Sequence, residues 1–301
     1  EISAAENTLV TVYGGAFDVD ATDYECSFAI GGVVRRSAAN TTSAEMLTCL
    51  AHALPRATLP YAGQASFALL KGQVPLSLGK GMQTVTIKYT ARWEGILRCL
   101  GVSNGNCSNS RGAASGQYTL QLRTWGLDPQ KTYMVNFSTL AGEFKTAQVH
   151  LNTSDSSNNT VAHITAPTWS FPASVTSVTL YQVENDKYSA VMLKEPELAP
   201  IQFEFYEDLS HLSASVLPHT GCNSSCWPAT ITIFGHGFQV TDSGNYRCLA
   251  IGKIDSTEIS SSSSYLHSSE ELVCTFGADG APNFVRQNFT IQVVHTGNPS
   301  L

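Results

Sequence analysis

Eight cysteines, eight histidines and 24 acidic side chains are the residues of this 301-residue chain with the chemistry to hold a metal, assist catalysis or cross-link a fold. Their spacing favours cross-linking. No histidine stands in an H-E-x-x-H helix motif and no serine in a G-x-S-x-G elbow. Gly14-Gly15 and Gly79-Lys80-Gly81 lack the strand–loop–helix context of a phosphate-binding loop. Asp18, Asp20, Asp23 and Glu25 form an acidic loop of the kind whose oxygens hold Ca²⁺. A solvated loop is the plainer reading, and the matching place later in the chain holds only Asp242. Glu195 and Glu197, and Glu270 and Glu271, lie beside proline or strand signals, where charge ordinarily guards a sheet edge. His236 sits between two glycines and reads as a turn residue. The chain is therefore read as a non-enzyme without metal or cofactor.

The cysteines fall into near neighbours along the chain: Cys26 with Cys49, Cys99 with Cys107, Cys222 with Cys226, and Cys248 with Cys274. About a hundred pairings of eight cysteines are possible. This one is expected because each pair stays inside one segment. Zinc is the alternative, but there is no CxxC pair and only His219 stands nearby at ligand spacing. Asn-x-Ser/Thr acceptors for N-linked glycans occur at Asn40, Asn106, Asn136, Asn152, Asn158, Asn223 and Asn288. Chance would supply roughly three, and the excess points to the secretory pathway. The net charge of −7 leaves no basic footprint for nucleic acid. No apolar run approaches the ~20 residues of a membrane span. A membrane anchor is expected outside this stretch.

The elements that must carry these residues are written twice. Val10-Thr11-Val12-Tyr13-Gly14-Gly15-Ala16-Phe17, then Tyr24-x-Cys26, then Leu47-Thr48-Cys49 opens the chain. Ile231-Thr232-Ile233-Phe234-Gly235-His236-Gly237-Phe238, then Tyr246-x-Cys248, then Leu272-Val273-Cys274 closes it. Each copy begins with the alternation of a half-buried strand, turns on glycine and folds a phenylalanine back into the core. Tyr-x-Cys and Leu-x-Cys follow as strands whose cysteines are able to meet across that core. This pattern resembles the IPT/TIG family of immunoglobulin-like domains, found in plexin-type receptors, over about residues 7–79 and 226–301. The resemblance implies β-sandwiches of extracellular recognition proteins. The family's other members, DNA-binding transcription-factor domains and accessory domains of glycosidases, imply a nucleic-acid reading that charge and compartment set aside, and a carbohydrate-active alternative.

Between the copies, Val85, Ile87 and Tyr89 share one face of a strand, as do Tyr118, Leu120 and Leu122. Leu127-Asp128-Pro129 before Thr132-Tyr133-Met134-Val135 resembles the tyrosine corner of a fibronectin type III sandwich, with Tyr133, Val135 and Phe137 inward and Asn136 outward. Residues 178–180 and 201–205 read as further strands, and residues 43–46 and 93–100 as single helical turns. The serine-rich stretches at 154–159 and 260–264 read as loop tips. The expected fold class is all-β, tandem immunoglobulin-like β-sandwiches over 1–79, 80–209 and 210–301.

Trp93, Trp125, Trp169 and Trp227 lie outside the clear core positions of the pattern. Trp169 and Phe171, in a proline-bracketed loop, are candidates for partner binding or for packing between units, and Arg35-Arg36 for a hairpin tip meeting an acidic partner. The function expected is the ectodomain of a cell-surface adhesion glycoprotein, binding a protein receptor on another cell or a further copy of itself. The alternatives are a structural subunit of an extracellular filament or wall, and accessory domains of a carbohydrate-active enzyme. The composition, low in lysine and rich in Ala, Ser and Gly, resembles that of green-algal surface proteins, which implies gamete or flagellar adhesion.

Overall fold

The computed structural model describes residues 1–54, 61–76, 85–100, 108–154, 159–194, 200–216, 229–252, 256, 258–277 and 289–295. The first unit holds β1 (Ile2–Ser3), β2 (Thr8–Tyr13), β3 (Tyr24–Ile30), β4 (Val33–Ser43), β5 (Met46–Ala51), β6 (Gln64–Lys71), β7 (Val74–Pro75) and β8 (Val85–Thr90). The middle unit holds β9 (Arg92–Leu100), β10 (Arg111–Ala113), β11 (Thr119–Trp125), β12 (Thr132–Ser138), β13 (Phe144–Gln148), β14 (His150–Ser154), β15 (Asn159–Thr165), β16 (Ser174–Glu184), β17 (Lys187–Ala190), β18 (Met192–Leu193) and β19 (Gln202–Tyr206). The last unit holds β20 (Asp208–Val216), β21 (Ala229–His236), β22 (Tyr246–Gly252), β23 (Glu258–Ser260), β24 (Ser263–Ser268), β25 (Glu271–Phe276) and β26 (Phe289–His295), with one 3-10 turn at Val240–Asn245. The protein is all-β, a tandem of immunoglobulin-like sandwiches.

Alternation builds each layer. Along β3, Tyr24, Cys26, Phe28 and Ile30 are buried while their neighbours are half-exposed. On β5 the buried set is Leu47, Cys49 and Ala51. Strand order in the first unit is β1-β8-β6-β3-β4-β5-β2. β4 makes the sandwich: its first half pairs with β3 and its second half with β5, so the strand passes from one layer to the other. In the last unit the same path is split, with β23 on β22 and β24 on β25. Ser261 and Ser262 bridge the split by donating their N–H groups to the carbonyls of Cys248 and Thr275. This serine run is thus a layer crossing and not the expected loop tip.

The expected boundary after residue 79 is corrected. β8 pairs with β6 and completes the first sheet, so the first unit runs to Thr90. The two predicted helical turns are also absent: residues 44 and 45 form the tight turn between β4 and β5, and residues 93–100 lie in β9. Pairing with a neighbouring strand outweighs the weak helix propensity of short Ala/Glu/Met or Leu stretches.

In the middle unit, β10-β19-β16-β12-β13, with β17 on β16, faces β14-β15-β11-β9-β18. Its core is aromatic: Trp93, Tyr133, Phe137, Trp169, Phe203 and Phe205 are all buried. The strands that follow β12 extend both of these layers beyond the tyrosine corner.

The linkers between units are single residues, Ala91 between β8 and β9 and Glu207 between β19 and β20. Each is backed by a packed seam. At the first, Trp125 of β11 is buried in the core of the first unit, and Ala62 donates its N–H to the carbonyl of Gly126 at 2.9 Å. Gly126 has φ +69, and a Cβ there would lie 2.9 Å from that of Ala62. At the second, the hydroxyl of Tyr246 donates to the Glu207 carboxylate and that of Ser115 to the Asp208 carboxylate. Ala173 donates its N–H to the Gly237 carbonyl at 2.9 Å, and the Gln239 amide donates to the Ala173 carbonyl at 2.5 Å.

Candidate recognition site

The residues common to the two copies serve one local device. Gly14 and Gly235 donate their N–H groups to the carbonyls of Glu45 and Glu270, and Phe17 and Phe238 to those of Ala44 and Ser269. The strand is thereby clasped to the turn before β5 or β25. Phe17 and Phe238 then meet Tyr24 and Tyr246 edge-on, at 5.9 and 5.5 Å between ring centroids. Each tyrosine hydroxyl accepts a backbone N–H from upstream: Asp18 to Tyr24 at 3.1 Å, and Gln239 to Tyr246 at 2.9 Å. The middle unit repeats the latch, with Asp128 donating to Tyr133 at 3.1 Å. Burial pushes the Tyr133 hydroxyl up to about 12, the hydrogen bond from Asp128 opposing it. Burial raises Tyr118 as well.

Below each outer latch lies the sulfur bridge. Cys26 is bonded to Cys49 and Cys248 to Cys274, each with Cα atoms 6.1 Å apart. In both, the bond joins the two layers. Cys99 is also disulfide-bonded; Cys107, Cys222 and Cys226 lie outside the described residues. Of the glycan acceptors, Asn40 on β4 and Asn152 on β14 are exposed, and Asn136 on β12 is half-buried. Asn106, Asn158, Asn223 and Asn288 lie outside the described residues.

The predicted aromatic tip is corrected. Trp169 is fully buried, stacked on Phe205 at 4.8 Å with the rings 3° from parallel, and its indole N–H donates to the Pro172 carbonyl at 2.9 Å. Phe171 packs edge-on against it at 5.1 Å. The loop that carries them adjoins the last unit, where the Ser269 hydroxyl donates to the Ser170 carbonyl at 2.5 Å. Both rings therefore pack within the core of the middle unit, which is neither of the two readings open from sequence; it is the backbone of Ser170 that meets the last unit. Trp93 and Trp125 are core residues as well; Trp227 lies outside the described residues.

Arg35 and Arg36 are not at a hairpin tip, which Gly31 and Gly32 occupy, but lie within β4. Arg35 donates to the Ala53 carbonyl at 3.1 Å and Arg36 faces Glu25 at 3.8 Å. The acidic loop is likewise dispersed: Asp18 caps the Asp20 N–H and lies 3.5 Å from Lys71. Among the described residues no group of three or more His, Cys, Asp or Glu is placed to share a metal ion.

A different tip exposes two large apolar side chains. Between β12 and β13, Thr139 donates its N–H to the Glu143 carbonyl at 2.9 Å, and Gly142 to the Thr139 carbonyl at 3.2 Å. The Thr139 hydroxyl accepts the Glu143 N–H at 3.2 Å. This turn stands on the buried Phe137 and holds Leu140 wholly in solvent, with Phe144 61 % exposed beside it. The sequence signal was weak, because Leu and Phe flanking Ala-Gly-Glu look like any strand ends and a single exposed Leu is ordinary. A cleft of about 290 Å³ between residues 129–132 and 148–152 has no carboxylate in its lining.

No family model and no curated protein matches the chain. Among solved structures, it aligns with a tetra-tandem repeat in the extending region of a large adhesion protein at 9 % identity and TM-score 0.29, over 91 % of this chain and 67 % of that one. The full extracellular region of plexin A4 (domains 1 to 8) aligns at 11 % identity and TM-score 0.25, over 99 % of this chain and 32 % of its own length. A Ca²⁺-stabilized adhesin of an Antarctic bacterium aligns at 11 % and 0.17, over 96 % and 68 %. At these scores the likenesses carry no argument about function.

Proposed function

We propose that this chain is the binding part of an extracellular adhesion or recognition glycoprotein, and that the β12–β13 tip meets a protein on another cell. The observation that carries the reading is an exposed apolar pair, Leu140 and Phe144, fixed by its own turn on a packed core. The backbone of that turn is already held in place, which lowers the cost of ordering it on binding. Inter-layer disulfides agree with an oxidising exterior, and one-residue linkers suit rigid presentation. A non-enzymatic role is part of this proposal, as are N-linked glycans at the exposed acceptors and a membrane anchor outside this stretch. Gamete or flagellar adhesion is the finer form of the proposal and draws only on composition.

The test is binding of the glycosylated protein to candidate partner cells, with Leu140→Asp and Phe144→Asp against Tyr188→Asp, an exposed position on β17. Loss of tenfold or more for the first two alone is the expected result. Equal binding by all three removes the tip.

A further inference from the structure

The two outer units differ at one edge. β21 lies between β25 and β20, whereas among the described residues β2 pairs with β5 alone and ends its sheet. Gly14 points its N–H inward, to the Glu45 carbonyl. By the alternation of strand amides, the N–H and C=O groups of Leu9, Thr11 and Tyr13 therefore point to the open edge. The equivalent positions in the last unit include Thr232 and Phe234, which β20 covers through Ser215 and Ser213. Among the described residues, one copy of this edge is thus occupied and the other is not.

β2 carries none of the devices that protect an edge. Its sequence, TLVTVY, has no charge, proline or bulge, and it is rich in β-branched residues. Leu9 is 65 % and Tyr13 78 % exposed on its outer face. The strand is also complementary to itself. Turned about a two-fold axis through Thr11, it sets Leu9 against Tyr13 of the other copy, Val10 against Val12, and Thr11 against Thr11. Aliphatic–aromatic and Thr–Thr pairs are favourable neighbours across an antiparallel ladder, and the paired stretch 8–14 contains no Asp, Glu, Lys, Arg or His. Asn40 stands two strands inward, in the row of Thr48 and Thr11, so a glycan there crowds the outer face and leaves the edge clear.

We infer that β2 is a self-association edge: a second copy of this chain adds its own β2 antiparallel, in the register Leu9–Tyr13, and joins two sheets into one. A two-fold contact of this kind uses the same patch on both partners and closes at a dimer, so it does not propagate a filament. An interface of one strand pair falls below about 1,200 Å², the class of weak and transient contacts. The inference stands on the edge alone and does not depend on the β12–β13 tip.

The experiment is sedimentation velocity of the purified chain, without cells, from about 5 to about 500 μM, a range suited to a weak contact. Wild type is expected to shift from monomer to dimer. Thr11→Pro removes an outward N–H without touching the β5 ladder, and Thr11→Lys sets two like charges directly opposite each other at the two-fold axis; each is expected to weaken dimerisation tenfold or more. Thr48→Lys, one strand inward, is the charge control and is expected to dimerise as wild type.

Register is tested separately by oxidation. Thr11→Cys is expected to yield a disulfide-linked dimer, since self-opposed positions in a hydrogen-bonded pair lie about 5.5 Å apart at Cα, while Leu9→Cys alone is not. A wild type that stays monomeric throughout overturns the inference, as does a dimer indifferent to both edge variants. Loss of cell binding with an intact dimer, or the reverse, tells the two proposals apart.

Discussion

Replacing Tyr133 by Phe separates what the tyrosine latch contributes at neutral pH from what it costs in alkali. The ring is 2 % exposed and its hydroxyl accepts the Asp128 N–H at 3.1 Å. Phe keeps the packing and leaves that donor without its acceptor, a loss of about 1–2 kcal/mol at pH 7. Above pH 10 the sign changes. The hydroxyl is held at about 12 in the folded state, raised from 10, so the unfolded chain binds fewer protons between those values and unfolding is favoured as pH rises. The wild-type contribution is intact below pH 10 and falls by roughly 1.4 kcal/mol per pH unit towards pH 12. Phe at 133 has no proton to lose. The two stability curves should therefore cross near pH 11, estimated from that slope and the neutral-pH deficit. Urea unfolding followed by tryptophan fluorescence reads this, because Trp93 and Trp169 sit in the same core. Other buried tyrosines act alike on both proteins and drop out of the difference. A gap that stays constant from pH 7 to 12, or no gap at pH 7, would refute the reasoning.

Two further outcomes concern the covalent and packed supports. Reducing or removing the Cys26–Cys49 bridge should lower the stability of the first unit by roughly 3 kcal/mol, measured as a lower urea midpoint of that unit's transition. Gly126→Ala puts a Cβ at positive φ and 2.9 Å from Ala62; it should destabilise by about 1–3 kcal/mol and speed hydrogen exchange at Ala62 more than at Val135 in the middle core.

The parts of the fold written in the sequence are those where side chain and backbone do a local task. Gly14 and Gly235, Phe17 and Phe238, Tyr24 and Tyr246 stand at matching places because the clasp needs those types, and a repeated device is readable by comparing the chain with itself. The place of Tyr133 is readable in another way, from the resemblance of Leu127-Asp128-Pro129 and the strand after it to a tyrosine corner. What escaped depends on distant partners. Nothing near Trp169 announces that Phe205, on a strand 36 positions later, will stack on it. Val85-Thr86-Ile87 reads as a strand, but its assignment to the first sheet rests on pairing with β6. The open edge of β2 emerges only when its register is set beside that of β21.

The adhesive role proposed above would expose the chain to tension whenever joined cells move apart. Any unit torn open by such tension would yield less chain than its residue number suggests, because each sulfur bridge ties off a loop. The one in the first unit spans a separation of 23 residues and the one in the last 26; at ~3.4 Å per residue these withhold roughly 80 and 90 Å of slack. A tether so shortened keeps its ends within reach of refolding when the load is released.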